Sequence, residues 1–157
     1  MYYSQWIVYG LEIIGTVALA FSGAMLGIRK KWIFLKEKYI RHYTNYMNIM
    51  DSIGLGAFTV IGINNAIQAS YSNDIFLLLF VGVITGVGGG LFRDIMAGTL
   101  PYIFIRHIYA CASLAGAVVC VFLMSFTGKE TAMTTGEAVV VAVRFLAARF
   151  RWNLPKI

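Results

Sequence analysis

Apolar residues are not scattered along this chain. They fall into five runs, each close to the roughly 20 residues that a helix needs to cross a bilayer. The first, Ile7 to Ile28, holds one charge, Glu12. The second, Ile53 to Ala69, contains the polar pair Asn64 and Asn65, and the third, Ile75 to Phe92, has no charge. The fourth runs from Ile108 to Phe126, and the fifth, Ala132 to Phe150, is the weakest because Glu137 and Arg144 lie inside it. The pattern predicts an all-α, polytopic membrane protein of about five transmembrane helices.

Between the first two runs the pattern changes. Trp32, Leu35, Tyr39, Tyr43, Tyr46 and Met50 recur at three- and four-residue spacing with lysines between them. That is the stripe of an interfacial amphipathic helix or of a cytoplasmic extension of the second span. Aromatic rings suit the headgroup layer.

Composition agrees with a membrane chain. Of 157 residues, 59% are hydrophobic and only 13% charged, with a mean hydropathy of +0.75. A soluble domain would carry about a quarter charged residues. The opening MYYSQWIVYG lacks the basic flank of a secretory signal, so the first run is expected to remain as a span.

Charge placement tests the count of spans. Arg29, Lys30, Lys31, Lys36, Lys38 and Arg41 follow the first run, and Arg93 and Arg106 follow the third. Arg144, Arg149, Arg151 and Lys156 close the chain, leaving Lys129 alone on the other side. Basic residues gather in the cytoplasm. The expected topology is therefore N-terminus outside and C-terminus inside, which requires an odd number of spans. The net charge of +6 reflects this topology and anionic lipid, and calls for no nucleic acid.

An internal repeat links the first two spans. LEIIGTVALAFSGAMLGI (11–28) aligns with MDSIGLGAFTVIGINNAI (50–67), matching Ile14, Gly15, Ala18, Gly23 and Ile28 to Ile53, Gly54, Ala57, Gly62 and Ile67. Glu12 and Asp51 coincide as well. Successive spans run antiparallel, so the two copies point in opposite directions, the signature of an inverted repeat in transporters and channels.

The third run ends in ITGVGGGLFRDIMAG (84–98), the strongest motif in the chain. It fits neither nucleotide-loop pattern: Leu91 stands where a third glycine belongs, and no Gly-Lys-Ser/Thr follows. Gly82, Gly86 and Gly90 form a small face for close helix packing, as do Gly23 and Gly27. That face uses neither Gly88 nor Gly89. Each glycine weakens a helix by about 1 kcal/mol relative to alanine, so Gly88–Gly90 predict a kink or break beside a polar path.

Arg93 and Asp94 follow at once. Adjacent helical positions diverge, so the two need not pair with each other. Arg93 either snorkels to headgroups or gates the path. Glu12, inside a span, is expected to be functional or partnered, with Asp51 and Asn64 as further polar support. Asn64 and Asn65 are expected to supply hydrogen bonds between helices. Cys111 and Cys120 read as small packing residues, and His42 and His107 as isolated. No Ser/His/Asp set or metal cluster is present, so no enzyme, metal or cofactor is expected.

These stretches, with the following LPYIF, YACASLAGA and the terminal RWNLPKI, resemble the bacterial trimeric intracellular cation channel family, which overlaps proteins with a glycine transporter domain. GGGxxRD with Pro101 shortly after it carries the resemblance most specifically. The resemblance implies two inverted three-helix repeats plus a final helix, assembled as a homotrimer, with one pore per subunit shaped by glycine-broken helices. On that pattern, 7–28 is helix one of the first repeat and 29–50 a basic aromatic loop. The second three-helix repeat is 51–126, and 132–157 is the final helix and tail. Two helices of the first repeat are missing, since GIRKK runs directly into the basic loop.

The implied function is a bacterial inner-membrane channel for potassium or sodium. Its ion path would be formed by Gly88, Gly89, Gly90, Arg93 and Asp94. A glycine or small-solute transporter and a non-conducting truncated member are the alternatives.

Overall fold

In a computed structural model the chain is a bundle of five helices, described over residues 2–31, 37–101, 103 and 108–150. They are α1 (Tyr2–Lys31), α2 (Glu37–Gln68), α3 (Ile75–Met96), α4 (Ile108–Met124) and α5 (Lys129–Phe150). Each apolar run became a helix, because in hydrocarbon a helix satisfies every backbone group within its own segment. Pro101, a breaker, falls after α3.

The ends carry specific caps. Asp74 caps α3 by accepting from the Leu77 amide at 3.1 Å. At its other end Gly98 turns with a φ of 60°, and the Thr99 amide bonds back to the Asp94 carbonyl.

Among the described residues four helices, including the weak fifth run, are long and apolar enough to cross a membrane, and α4 follows with 17 residues. The chain is a multi-pass membrane protein. Tyr39 to Met50 of the aromatic stripe lie on the same continuous helix as the second apolar run, since α2 begins at Glu37. Trp32, Leu35, Arg106, His107 and the terminal RWNLPKI lie outside the described residues.

Neighbouring helices are antiparallel. Gly15 of α1 faces Ala57 of α2, and Gly54 of α2 faces Leu19. Gly62 meets Thr85 of α3, Gly86 meets Ser113 of α4, and Gly116 of α4 meets Gly136 of α5. α2 is the central helix: 67% of its span is buried, against 22–33% for the other long helices. Its Leu55, Ala57, Val60, Ile61 and Ile63 form the core with Ala117, Cys120 and Met133. The outer faces carry large apolar side chains, such as Trp6, Ile13, Val17 and Phe21 on α1 and Phe76, Phe80 and Ile84 on α3. In water that exposure would be ruinous; in a bilayer it is the solvent-facing surface.

The break expected at Gly88–Gly90 does not occur. α3 is one continuous helix from Ile75 to Met96. Tight packing outweighs the propensity cost. A side chain at Gly82 would strike Ile63 and the Thr59 carbonyl, and one at Gly86 would strike Thr59 Oγ1. Gly82, Gly86 and Gly90 thus form the close-packed face, which lets α3 lie against α2 and α4.

Candidate functional site

Where α3 approaches its exit from the bundle, four ionised side chains are buried together. Arg93 and Asp94 come from α3, Asp51 from α2 and Arg144 from α5, each no more than 8% exposed. Charges withdrawn from water are costly unless paired and hydrogen-bonded. Here two guanidinium groups face two carboxylates, so the cluster is neutral.

Asp51 is its centre. Its Oδ1 accepts from Arg93 Nη1 at 2.6 Å and from the Tyr109 hydroxyl at 3.3 Å, and its Oδ2 accepts from Arg144 Nη2 at 2.7 Å. Arg93 uses the rest of its fork on Asp94, with Nε and Nη2 donating to Oδ1 at 2.9 and 2.7 Å. The sequence left open whether these neighbours pair, and here they do. The arginine stem is long enough to fold back, and burial leaves each charge in need of the other.

Two serines complete the shell. Arg93 Nη1 donates to Ser22 Oγ of α1 at 3.0 Å, while Ser22 donates onward to the Leu19 carbonyl. Arg144 Nε donates to Ser52 Oγ at 3.2 Å, and Ser52 in turn donates to the Asn48 carbonyl. The Arg144 guanidinium also lies 4.5 Å from the centroid of the Tyr109 ring, a cation–π contact. Tyr109 stands near the start of α4, so all five helices contribute to one cluster.

The glycines make this possible. A Cβ at Gly90 would collide with the Tyr109 hydroxyl, and one at Gly23 would press on the Arg93 stem at 3.4 Å. Gly89 faces Leu19, whereas Gly88 has nothing within 4 Å of an added Cβ. One step into the bundle, Thr59 of α2 and Ser113 of α4 share a hydrogen bond of 2.7 Å.

Of the residues singled out in the sequence, Gly90, Arg93, Asp94 and Asp51 come together here, while Gly88 and Gly89 face away from the charges. Glu12 and Asn64 are not part of the cluster. Asn64 is thirteen positions from Asp51 on α2, about 20 Å along the helix. It makes no interhelical hydrogen bond among the described residues, contrary to expectation: both polar atoms of its carboxamide are buried without a partner. Asn65 is exposed.

Arg144, Tyr109, Ser22 and Ser52 were missed. Arg144 had the clearest signal, since an arginine inside a span is expensive and usually has a defined partner. Its place in the basic count at the carboxyl end concealed it. Among the described residues no group of three or more His, Cys, Asp and Glu could hold a metal. Nor does the cluster contain a nucleophile with a base. Chemically it is a set of buried ion pairs, in which Arg93 and Arg144 occupy oxygens of the Asp51 and Asp94 carboxylates.

Residues 48–125 match the family model for the glycine transporter domain. The UPF0126 inner membrane protein YadS of Escherichia coli (strain K12) is 36% identical over 109 residues, 68% of this chain and 52% of YadS. The chain thus spans about half the length of that relative. A solved structure described by the basis for conductance through TRIC cation channels is 33% identical, with a TM-score of 0.62 over 76% of this chain and 60% of that one. A prokaryotic TRIC channel crystallised in 0.5 M KCl has a TM-score of 0.81 over 98% of this chain and all of that one. At 20% identity it shows a common fold.

Proposed function

With residues 48–125 belonging to the glycine transporter family and the chain sharing the TRIC channel fold, we propose that it is a cation channel, passing potassium or sodium passively across a bacterial inner membrane. The observation that carries the reading is the buried cluster of Asp51, Arg93, Asp94 and Arg144, on which all five helices converge. The basic residues set the orientation, with the N-terminus outside and this cluster toward the cytoplasm. Residues 51–126 form the complete three-helix repeat. In a homotrimer, a neighbouring subunit supplies the wall that the two absent helices would form.

The path runs beside Gly88–Gly90, of which Gly90 borders Tyr109 and Asp51 and Gly88 faces outward with Ile84 and Phe92. Because α3 is unbroken, its carbonyls remain in helical hydrogen bonds. The ion is therefore met by water and by the carboxylates of Asp51 and Asp94. While Arg93 holds Oδ1 of both carboxylates and Arg144 holds Asp51 Oδ2, the negative charge is neutralised and the passage is closed. Displacing the Arg93 guanidinium frees one oxygen on each carboxylate, leaves the cluster one negative charge in excess and opens the passage. Arg93 is the gate and Arg144 the residue that keeps Asp51 in place.

The family's description favours a second reading, a glycine carrier, in which the same charges would hold a zwitterion's two ends. Purified protein in liposomes separates the readings by potassium flux and labelled glycine uptake. The channel reading expects ohmic potassium current. Saturable glycine uptake without current would replace it, and absence of both would mark a non-conducting member.

A further inference from the structure

At the end of the bundle away from the Arg93 cluster lies a cavity of about 220 Å³ between α1, α2 and α5. Its polar wall includes Gln5 and Glu12 of α1, Asn64, Asn65 and Gln68 of α2, and Lys129 and Glu130 of α5. We infer that this cavity is a binding site for a small monovalent cation bearing N–H donors, of the guanidinium or primary ammonium class.

Three observations converge on it. The first is Asn64, fully buried in the cavity wall, with neither its carboxamide oxygen nor its nitrogen hydrogen-bonded among the described residues. A buried amide left unpaired destabilises the fold, so such a group normally faces a guest or ordered water.

The second is charge. Glu12 and Glu130 have no ion-pair partner within 4 Å among the described residues, and Lys129 is the one cation in the wall. Two carboxylates against one ammonium leave the cavity one positive charge short.

The third is the repeat. Glu12 aligns with Asp51, and Asp51 is satisfied by two guanidinium groups and a phenol. The cavity around Glu12 has the carboxylate without the guanidinium. A guest that brings positive charge and several N–H groups would satisfy Glu12, Glu130 and the Asn64 oxygen together, as Arg93 satisfies Asp51, Asp94 and Ser22. A bare alkali ion offers no donors, and a quaternary ammonium offers charge alone.

Binding is independent of conduction, and its test uses no flux. The full chain, purified in detergent, is titrated calorimetrically with methylguanidinium chloride, and with potassium chloride and tetramethylammonium chloride at the same ionic strength. Saturable binding is expected for methylguanidinium alone. Glu12→Gln should weaken it about tenfold or more, the scale of one lost charge-assisted hydrogen bond. Asn64→Leu should abolish it while raising the thermal midpoint of the ligand-free protein, because hydrocarbon of similar volume replaces the unpaired amide. That rise separates loss of binding from loss of fold. No heat with methylguanidinium, equal heat with tetramethylammonium or potassium, or undiminished binding in both variants would overturn the proposal.

Discussion

The hydroxyl of Tyr109 occupies the space that a side chain at Gly90 would need, and from there it donates to Asp51. The third glycine of the motif is therefore a component of the charge cluster, although it carries no polar side chain. Gly90→Ala should push Tyr109 away from Asp51 and cost about 1–3 kcal/mol as an overpacking change. Gly88→Ala, which meets open space, should be neutral or stabilise the helix by up to about 1 kcal/mol. Denaturant unfolding of both variants in mixed micelles checks the contrast. Equal effects at the two positions would mean that the glycines act through helix propensity alone.

Asp51 and Arg144 meet at 2.7 Å, and each balances the other. Asp51→Asn leaves two arginines facing one carboxylate and should cost about 3–5 kcal/mol, the range for breaking a buried pair. Adding Arg144→Gln restores neutrality. The double variant should be more stable than the sum of the single losses, with a coupling of about 0.5–3 kcal/mol. Additive losses in a double-mutant cycle would deny the pairing.

Arg93 reaches Asp51, Asp94 and Ser22 at once through three nitrogens. A lysine ammonium cannot reproduce that fork. If Arg93 is the gate, Arg93→Lys should raise potassium flux in liposomes on the order of tenfold, equivalent to about 1.4 kcal/mol of lost latch energy. Arg93→Gln should raise it further. Flux that stays at the wild-type level in both folded variants would remove Arg93 from the gate.

The Thr59–Ser113 hydrogen bond makes a more modest case. Thr59 also donates to the Leu55 carbonyl at 2.7 Å and keeps that bond if Ser113 is truncated. Ser113→Ala should cost about 0.6 kcal/mol and no more than about 1.7, the measured span for such bonds between membrane helices. A loss as large as that of Asp51→Asn would show that the two sites are energetically one.

The spans were legible because a bilayer demands long apolar runs, and nothing in tertiary packing can hide them. The place of Arg93 and Asp94 was legible for a related reason: charge beside a run of glycine in a span is rare. What the sequence concealed depends on contacts distant in the chain. Asp51 and Arg144 are separated by 93 positions, and only the packing of α5 against α2 brings them together. The glycine run was misjudged because propensity is local, while the packing at Gly90 involves Tyr109 on another helix. Asn64 was misjudged in the opposite sense. A polar residue in an apolar helix was expected to have a partner, and its immediate surroundings supply none.

The division of the cluster between near and distant neighbours bears on how the chain enters the membrane. Arg93 and Asp94 adjoin, so α3 can leave the translocon as a locally neutral segment before any other helix is beside it. Arg144 has no carboxylate so close in sequence, and its partner Asp51 was synthesised some ninety residues earlier. A lone arginine within a span resists insertion, by up to about 2.5–3.5 kcal/mol at the helix centre and less toward the end, where Arg144 lies. The last helix should therefore insert as a dependent of the second, and Asp51→Asn should lower its insertion efficiency in a glycosylation-reporter assay while leaving that of α3 unchanged.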